Sequence, residues 1–244
     1  MSHSAEHGKD FSPAAYAALL SAFAAQGYAP KGFADASPEA RHLILRHDID
    51  FSLAAARAMA EQEAELGVRT TYFVLLRTEF YNPLSGAGRA ALARIAELGH
   101  PIGLHFDAAL YENDTVSLDA AAAREGDVLA DALRMPIDLV SLHRPGKIKA
   151  GEPDRLGGRL NVYAPRYVRD IGYCSDSRGG WHHGHPLAHP AVKAGRALHL
   201  LIHPFWWQAP ALPPAERLER FLRERADFLD RELARHCAVH RADE

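Results

Sequence analysis

The sequence predicts an α/β fold, with parallel strands inside and helices outside, and three observations carry that prediction. Short apolar runs alternate with helical stretches in a βαβα order. The run Leu43-Ile44-Leu45 reads as a strand covered on both faces. Five polar clusters sit at or just after strand ends: Arg46–Asp50, His105–Asp107, His143-Arg144-Pro145, Asp176–Trp181 and His203–Trp207. One such coincidence means little. Five on successive strands point to one shared mouth, as in a barrel whose C-terminal loops build the site.

The elements follow in order. Ser12-Pro13 opens a helix as N-cap and first-turn proline, Leu19, Leu20 and Phe23 give it an apolar face, and Gly27 ends it. Strand 43–46 is followed by a helix from about Leu53 to Leu66, stopped at Gly67. Thr71–Leu76 is β-branched and aromatic, hence a strand, and 77–83 is a loop. A third helix spans Gly86–Leu98, a short strand Ile102–His105, an Ala-rich helix Thr115–Leu133 and a strand Ile137–His143. After Pro145 the pattern loosens into a Gly- and Lys-rich loop over 146–158. Brief strands are expected at Asn161–Tyr163 and Ile171–Asp176, and the Gly-rich segment 179–186 must be irregular. Ala197–His203 is the last strand, and a charge-rich helix runs from Pro214 to about Cys237. Six or seven strands result, with no repeat or linker, so residues 1–244 are expected to form a single domain.

Composition narrows the function. The chain is 48% hydrophobic and 24% charged, ordinary for a globular protein with a substantial core. Lys and Arg number 28 against 31 acidic residues, and no basic run resembles a nucleic-acid footprint. Cys174 and Cys237 have neither disulfide nor zinc-finger spacing, which favours a reducing, cytoplasmic setting. Residues 1–10 are polar without an apolar core, so no secretory signal is expected, and no apolar run reaches membrane-spanning length. The protein is therefore expected not to be an integral membrane protein.

The chemistry starts at Arg46-His47-Asp48-Ile49-Asp50. Asp48 and Asp50 are two apart, so an extended backbone sends both carboxylates to one face. Such a pair repels unless a cation or shared proton relieves it, which suits a divalent metal beside a carboxylate base. The alternative is that Ser52 or Asp50 simply caps the next helix.

The ordered set of motifs resembles the polysaccharide deacetylase (NodB homology) superfamily, also called carbohydrate esterase family four. Within it, the chain is most similar to a divergent branch found in surface-glycan (O-antigen or capsule) gene clusters. The motifs are 46–50, Glu97–Asp107 with Gly-His-Pro-Ile-Gly-Leu-His, Leu142–Pro145, Ser175–Gly179 with Trp181, and Leu200–Pro204. They span about residues 43–207, and each is weak alone. The resemblance implies a distorted (β/α)7-type barrel that removes an N-acetyl or similar acyl group from an amino sugar, in a metal-dependent reaction.

What it implies for single residues follows the motifs. Asp48 matches the base and Asp50 the metal aspartate; the family has them adjacent, whereas Ile49 intervenes here and leaves the reverse assignment open. His105 matches the first metal histidine. The family's second ligand is missing, with Ala109 in its place; Asp107 and His143 are the two substitutes, and with neither the metal would be held weakly or the protein would be a catalytically dead relative. Arg144 resembles the arginine that orients the base, Asp176 the carboxylate holding the acid histidine, and His203 that histidine. Trp181 and the group Phe205-Trp206-Trp207, with Arg178, are expected to line a sugar cleft, core packing being the alternative for the tryptophans. Arg77, Glu79 and Tyr81 are expected to face the mouth and recognise a substrate carboxylate or phosphate. His182, His183 and His185 sit in a Gly-rich loop and read as exposed. The implied cofactor is a divalent ion: zinc, with cobalt, nickel or iron admissible on mixed N and O ligands. The implied partner is a nucleotide- or lipid-linked amino sugar, and no nucleic acid. A formyl or other amide hydrolase, or a non-catalytic glycan-binding relative, are the alternatives.

Overall fold

The computed structural model describes residues 11–145 and 153–240. The polar first ten residues and the start of the expected 146–158 loop lie outside the described residues. The elements run α1 (Pro13–Ala25), β1 (Ala29–Pro30), β2 (His42–Ile49), α2 (Leu53–Glu65), β3 (Thr71–Leu75), α3 (Gly86–Glu97) and β4 (Ile102–Phe106). They continue with α4 (Thr115–Leu133), β5 (Leu139–Leu142), β6 (Arg155–Leu156), β7 (Arg159–Asn161), β8 (Gly172–Ser175), α5 (Pro190–Lys193), β9 (Leu198–Ile202) and α6 (Pro214–His236).

Among the described residues one sheet of nine strands forms, ordered β6-β7-β5-β4-β3-β2-β9-β8, with β1 alongside β2. From β7 to β8 seven strands run parallel along this path, and β6 is antiparallel at one edge. The sheet curls into a half-barrel, the α/β architecture expected. No described helix is long and apolar enough to cross a membrane.

Local chemistry accounts for the boundaries. Ser12 and Ser52 cap α1 and α2 by accepting from Ala15 N and Ala55 N. Because Ser52 takes the cap, Asp50 is not spent on it. Strand β2 runs past the expected end at Arg46 to Ile49, held by β3 from Arg46↔Thr71 to Ile49↔Val74 and by β9 as far as His47↔Ile202. The brief strand expected at Asn161–Tyr163 lies at Arg159–Asn161, two residues earlier. Two-residue strands such as β1 and β6 have no periodicity to read.

Alternation along β2 sorts the ionisable cluster. Ile44, Arg46 and Asp48 share the concave face with Phe73 of β3, where Phe33, Val162, Tyr167 and Ile171 complete an interior core. Gly103 belongs to this packing, since a Cβ there would lie 2.5 Å from the Phe73 ring. His47 points the other way, under α2. There Glu63 accepts from Thr70 Oγ1 at 2.6 Å and Tyr72 Oη at 2.7 Å, contacts His47 Nε2 at 2.6 Å, and is also bonded by Tyr16. This network pins α2 behind the site-bearing strand, with His47 Nδ1 left as its one buried atom without a partner among the described residues. Leu92, Ile95, Leu104 and Phe106 build the outer core under α3 and α4, each fully buried side chain contributing about 1.5–3 kcal/mol.

Candidate metal and hydrolytic site

The carboxyl ends of β2, β3, β4, β5, β8 and β9 open on one cleft of about 1390 Å³, lined by Asp48, Asp50, His105, His143 and His203. At its floor Asp50 Oδ1 lies 3.2 Å from His105 Nε2 and 3.5 Å from His143 Nδ1, and those two nitrogens are 3.2 Å apart. The three ligand atoms lie within 4.8 Å of one another. Asp50 Oδ1 is buried without a well-directed hydrogen bond. The three ligand atoms crowd one point, the two ring nitrogens in hydrogen-bond contact, and a mixed N and O set of this kind fits a divalent ion such as zinc or cobalt. Burial alone would raise the Asp50 carboxyl; the ring nitrogens of His105 and His143 and the charge of His203 outweigh it and hold it well below the usual carboxylate range.

Ser141, facing inward on β5 beside His105, places its Oγ 3.2 Å from His105 Nδ1. With a cation bound and Nδ1 donating to Ser141, Nε2 would be unprotonated and available as a ligand at the point shared with Asp50 and His143. This is the outer-shell contact that fixes the tautomer of a metal-binding histidine.

Asp48 sits one step deeper and is 2% exposed. Arg46 grips it from two positions back on the same strand, Nε to Oδ1 at 2.8 Å and Nη2 to Oδ2 at 2.6 Å. Arg46 also bonds Ser141, and its guanidinium lies 4.4 Å over the Tyr163 ring. Burial would raise the Asp48 carboxyl, but the Arg46 charge and hydrogen bonds, with His105, pull it below the ordinary value. The carboxylate is charged and fixed.

His203, at the end of β9, contacts Asp176 Oδ1 through Nδ1 at 2.6 Å, and its Nε2 lies 3.8 Å from Asp50 Oδ2. Asp176 is fully buried, and its Oδ2 accepts from Trp207 Nε1 at 2.7 Å. Burial pushes the His203 imidazole down; the charge and hydrogen bond of Asp176, with Asp50 and Asp48, reverse this and lift it to about 9. Its proton is thus carried at Nε2, facing the cleft.

Several expected residues fall elsewhere. Asp107 is not in the donor set: the chain has left the strand there (φ −88, ψ 88), and its side chain caps Ala109 N and pairs with Arg144 at 2.8 Å. Of the two substitutes, His143 is the one brought to Asp50. Arg144 does not orient Asp48. Its backbone turns left-handed (φ 47) and its side chain, 71% exposed, runs out to Asp107. Arg46 fills that place. Trp181 is absent from the cleft lining and packs against Phe11 and Trp207 at centroid distances of 5.7 and 6.0 Å. Trp206, Arg178, Arg77, Glu79 and Tyr81 do line the cleft. Tyr81 is engaged structurally, donating to Ile49 O at 2.6 Å and accepting from Leu75 N at 3.0 Å. His182, His183 and His185 are exposed.

Phe205 and Trp207, expected with Trp206 in the cleft, are not part of its lining, Trp207 instead bonding Asp176, and Arg46 and Ser141 were missed as site residues. The signal for Arg46 and Ser141 was in the sequence, since each lies two positions before an inward-facing site residue on its strand, Asp48 and His143 respectively.

No family model and no curated protein matches the sequence. Solved structures do. They include a family 4 carbohydrate esterase from Streptomyces lividans in complex with acetate, at 14% identity, covering 78% of this chain and 90% of that one, TM-score 0.43. A family 4 acetyl xylan esterase from Clostridium thermocellum in complex with a cobalt ion matches at 15% identity over 75% and 82%, TM-score 0.39. A CE4 family pseudoenzyme from Bacillus anthracis matches at 10% identity over 77% of this chain and 61% of its own, TM-score 0.43, so this chain spans less than two thirds of that protein. At these identities and TM-scores the likeness bears on no functional residue.

Proposed function

We propose that this protein is a metal-dependent hydrolase that removes an N-acetyl or similar acyl group from an amino sugar. The observation that carries the reading is the convergence of the Asp50, His105 and His143 donor atoms beside two separately held proton-transfer groups, Asp48–Arg46 and His203–Asp176. A divalent cation held by Asp50, His105 and His143 would supply Lewis-acid polarisation of the scissile carbonyl and a lowered pKa for a neighbouring water.

The chain's own groups divide the remaining work. Asp48, kept ionised by Arg46, takes the proton from the attacking water. His203 presents its Nε2 proton to the departing amine, while Asp176 and Trp207 prevent the ring from turning away. Trp206 and Phe80 offer apolar faces for a sugar ring along the cleft. Arg77, which donates to Tyr111 Oη at 3.0 Å, and Arg178 line the same cleft with no carboxylate paired to them among the described residues, which suits a sugar carrying a phosphate. A nucleotide- or lipid-linked acetamido sugar of surface-polysaccharide synthesis, handled in the cytoplasm, meets those requirements.

The test is acetate release from nucleotide-linked N-acetyl amino sugars by the purified chain loaded with zinc or cobalt. Activity that vanishes with chelator and with Asp50→Ala is expected. A chain that takes up no stoichiometric metal, and is unchanged by Asp50→Ala, refutes the hydrolase and leaves a glycan-binding protein.

A further inference from the structure

We propose that α6 is a self-association element that pairs antiparallel with the α6 of a second copy of this chain. The helix is 23 residues long, and Arg217 is its one buried residue. That arginine donates to Gln208 O at 2.7 Å and Pro210 O at 2.6 Å. One turn on, Phe221 packs on Phe51, Phe80 and Phe205 at 6.0, 5.9 and 5.4 Å. These contacts anchor the first two turns only. In proteins most helical stability comes from packing an amphipathic face, and beyond those turns this helix has none packed.

Such a face is present and bare. Leu218, Leu222, Ala226, Leu229 and Leu233 recur at intervals of four, four, three and four, which places them on one stripe. The four leucines are 37, 65, 53 and 54% exposed. Leu218 borders the cleft, while Leu222, Leu229 and Leu233 stand more than half open.

The charges beside the stripe indicate what does. Glu219, Arg223 and Asp230 flank one side, and Arg225 and Glu232 the other. A lipid-binding helix carries mainly basic residues at its flanks, whereas both signs are present here. Laying two copies antiparallel about a twofold axis near Asp227 sets Arg223 of one copy against Asp230 of the other, and Arg225 against Glu232. Symmetry makes each pair twice. Asp230 meets His240 through Oδ1, at 2.6 Å, which leaves Oδ2 for this contact. A parallel alignment matches only Arg225 with Asp230 and forces the two α/β bodies together at one end. The antiparallel alignment pairs four of the five flanking charges, all but Glu219, and places the bodies at opposite ends; Glu232 shares its carboxylate with Arg235 of its own helix, at 2.8 Å.

The experiment is sedimentation equilibrium of the full chain, with a species of twice 26.8 kDa expected at micromolar concentration. Leu222→Glu with Leu229→Glu should raise the dimer dissociation constant by at least about 100-fold while leaving circular dichroism and urea unfolding of the monomer unchanged, since both leucines are exposed in one copy. Arg223→Asp should weaken the dimer, and adding Asp230→Arg should restore it. The antiparallel arrangement holds the two Cys237 thiols about 30 Å apart, so oxidation should not cross-link them. A monomer at about 100 µM, a dimer indifferent to the glutamates, a Cys237–Cys237 cross-link, or a monomer that floats with phosphatidylglycerol vesicles each overturns the proposal.

Discussion

Arg46→Met is the substitution that most directly probes how Asp48 is held. The Arg46 and Asp48 side chains are 0 and 3% exposed and joined by two hydrogen bonds, so neither can turn to water when the other is lost. Breaking one partner of a buried pair costs about 3–5 kcal/mol, because the remaining charge stays buried without compensation. With a urea m-value of about 3 kcal/mol/M, the unfolding midpoint should fall by about 1–1.7 M. The measurement is urea unfolding followed by far-ultraviolet circular dichroism at neutral pH with chelator present, so that metal binding does not add to stability. Replacing both partners, Arg46→Met with Asp48→Leu, should recover most of the loss, since the penalty belongs to the orphaned carboxylate and not to the absence of the pair. A single substitution costing under about 1 kcal/mol, the scale of an exposed pair, would show that Asp48 reaches solvent and would refute the reasoning.

Four further outcomes follow from the same geometry. Ser141→Ala, which frees His105 Nδ1, should weaken zinc or cobalt binding about 10–100-fold by titration calorimetry. Asp48→Asn should abolish turnover with bound metal nearly unchanged; loss of metal instead would reverse the roles of the two aspartates. His203→Gln should lower turnover about 10²–10⁴-fold if it supplies the proton, and a near-normal rate removes it from the reaction. Acid stability should depend on His199, buried with Nδ1 against Tyr167 O at 3.0 Å and Nε2 unpartnered. Burial, with the nearby Arg46 charge, pushes it down to about 3. Its folded pKa lies below the unfolded value of about 6.5, so its stabilising contribution is full above that pH and declines as pH falls towards 3, at most about 1.4 kcal/mol per unit. His199→Gln should flatten that part of a stability-versus-pH curve.

Much of this site was legible because strands impose a period of two. Asp48 and Asp50 could be put on one face from spacing alone, and His105 and His203 from their place at the ends of apolar runs. Choosing between Asp107 and His143 needed the third dimension. Both stand at strand ends near His105, but the backbone leaves the strand at Asp107 and turns its carboxylate to a cap, while His143 follows Ser141 on the inward face. Trp181 illustrates the opposite limit. An indole near a cleft motif can line the cleft or fill the core, and only the position of Phe11, far off in sequence, decides that it packs inward.

The exchange of Arg144 for Arg46 shows why a role is easier to transfer than a residue. A buried carboxylate at a strand end needs a guanidinium, and any inward position within reach can supply one. Position 46 is two residues before Asp48 on a strand paired on both sides, so its side chain enters the same interior at no conformational cost. Position 144 follows the strand end in a left-handed turn, which sends its side chain along the rim to Asp107. Once Arg46 occupies the interior, a second arginine on Asp48 would bury an unpaired positive charge. The rim is therefore the stable place for Arg144, and the charge balance of the interior follows from the strand that carries the base.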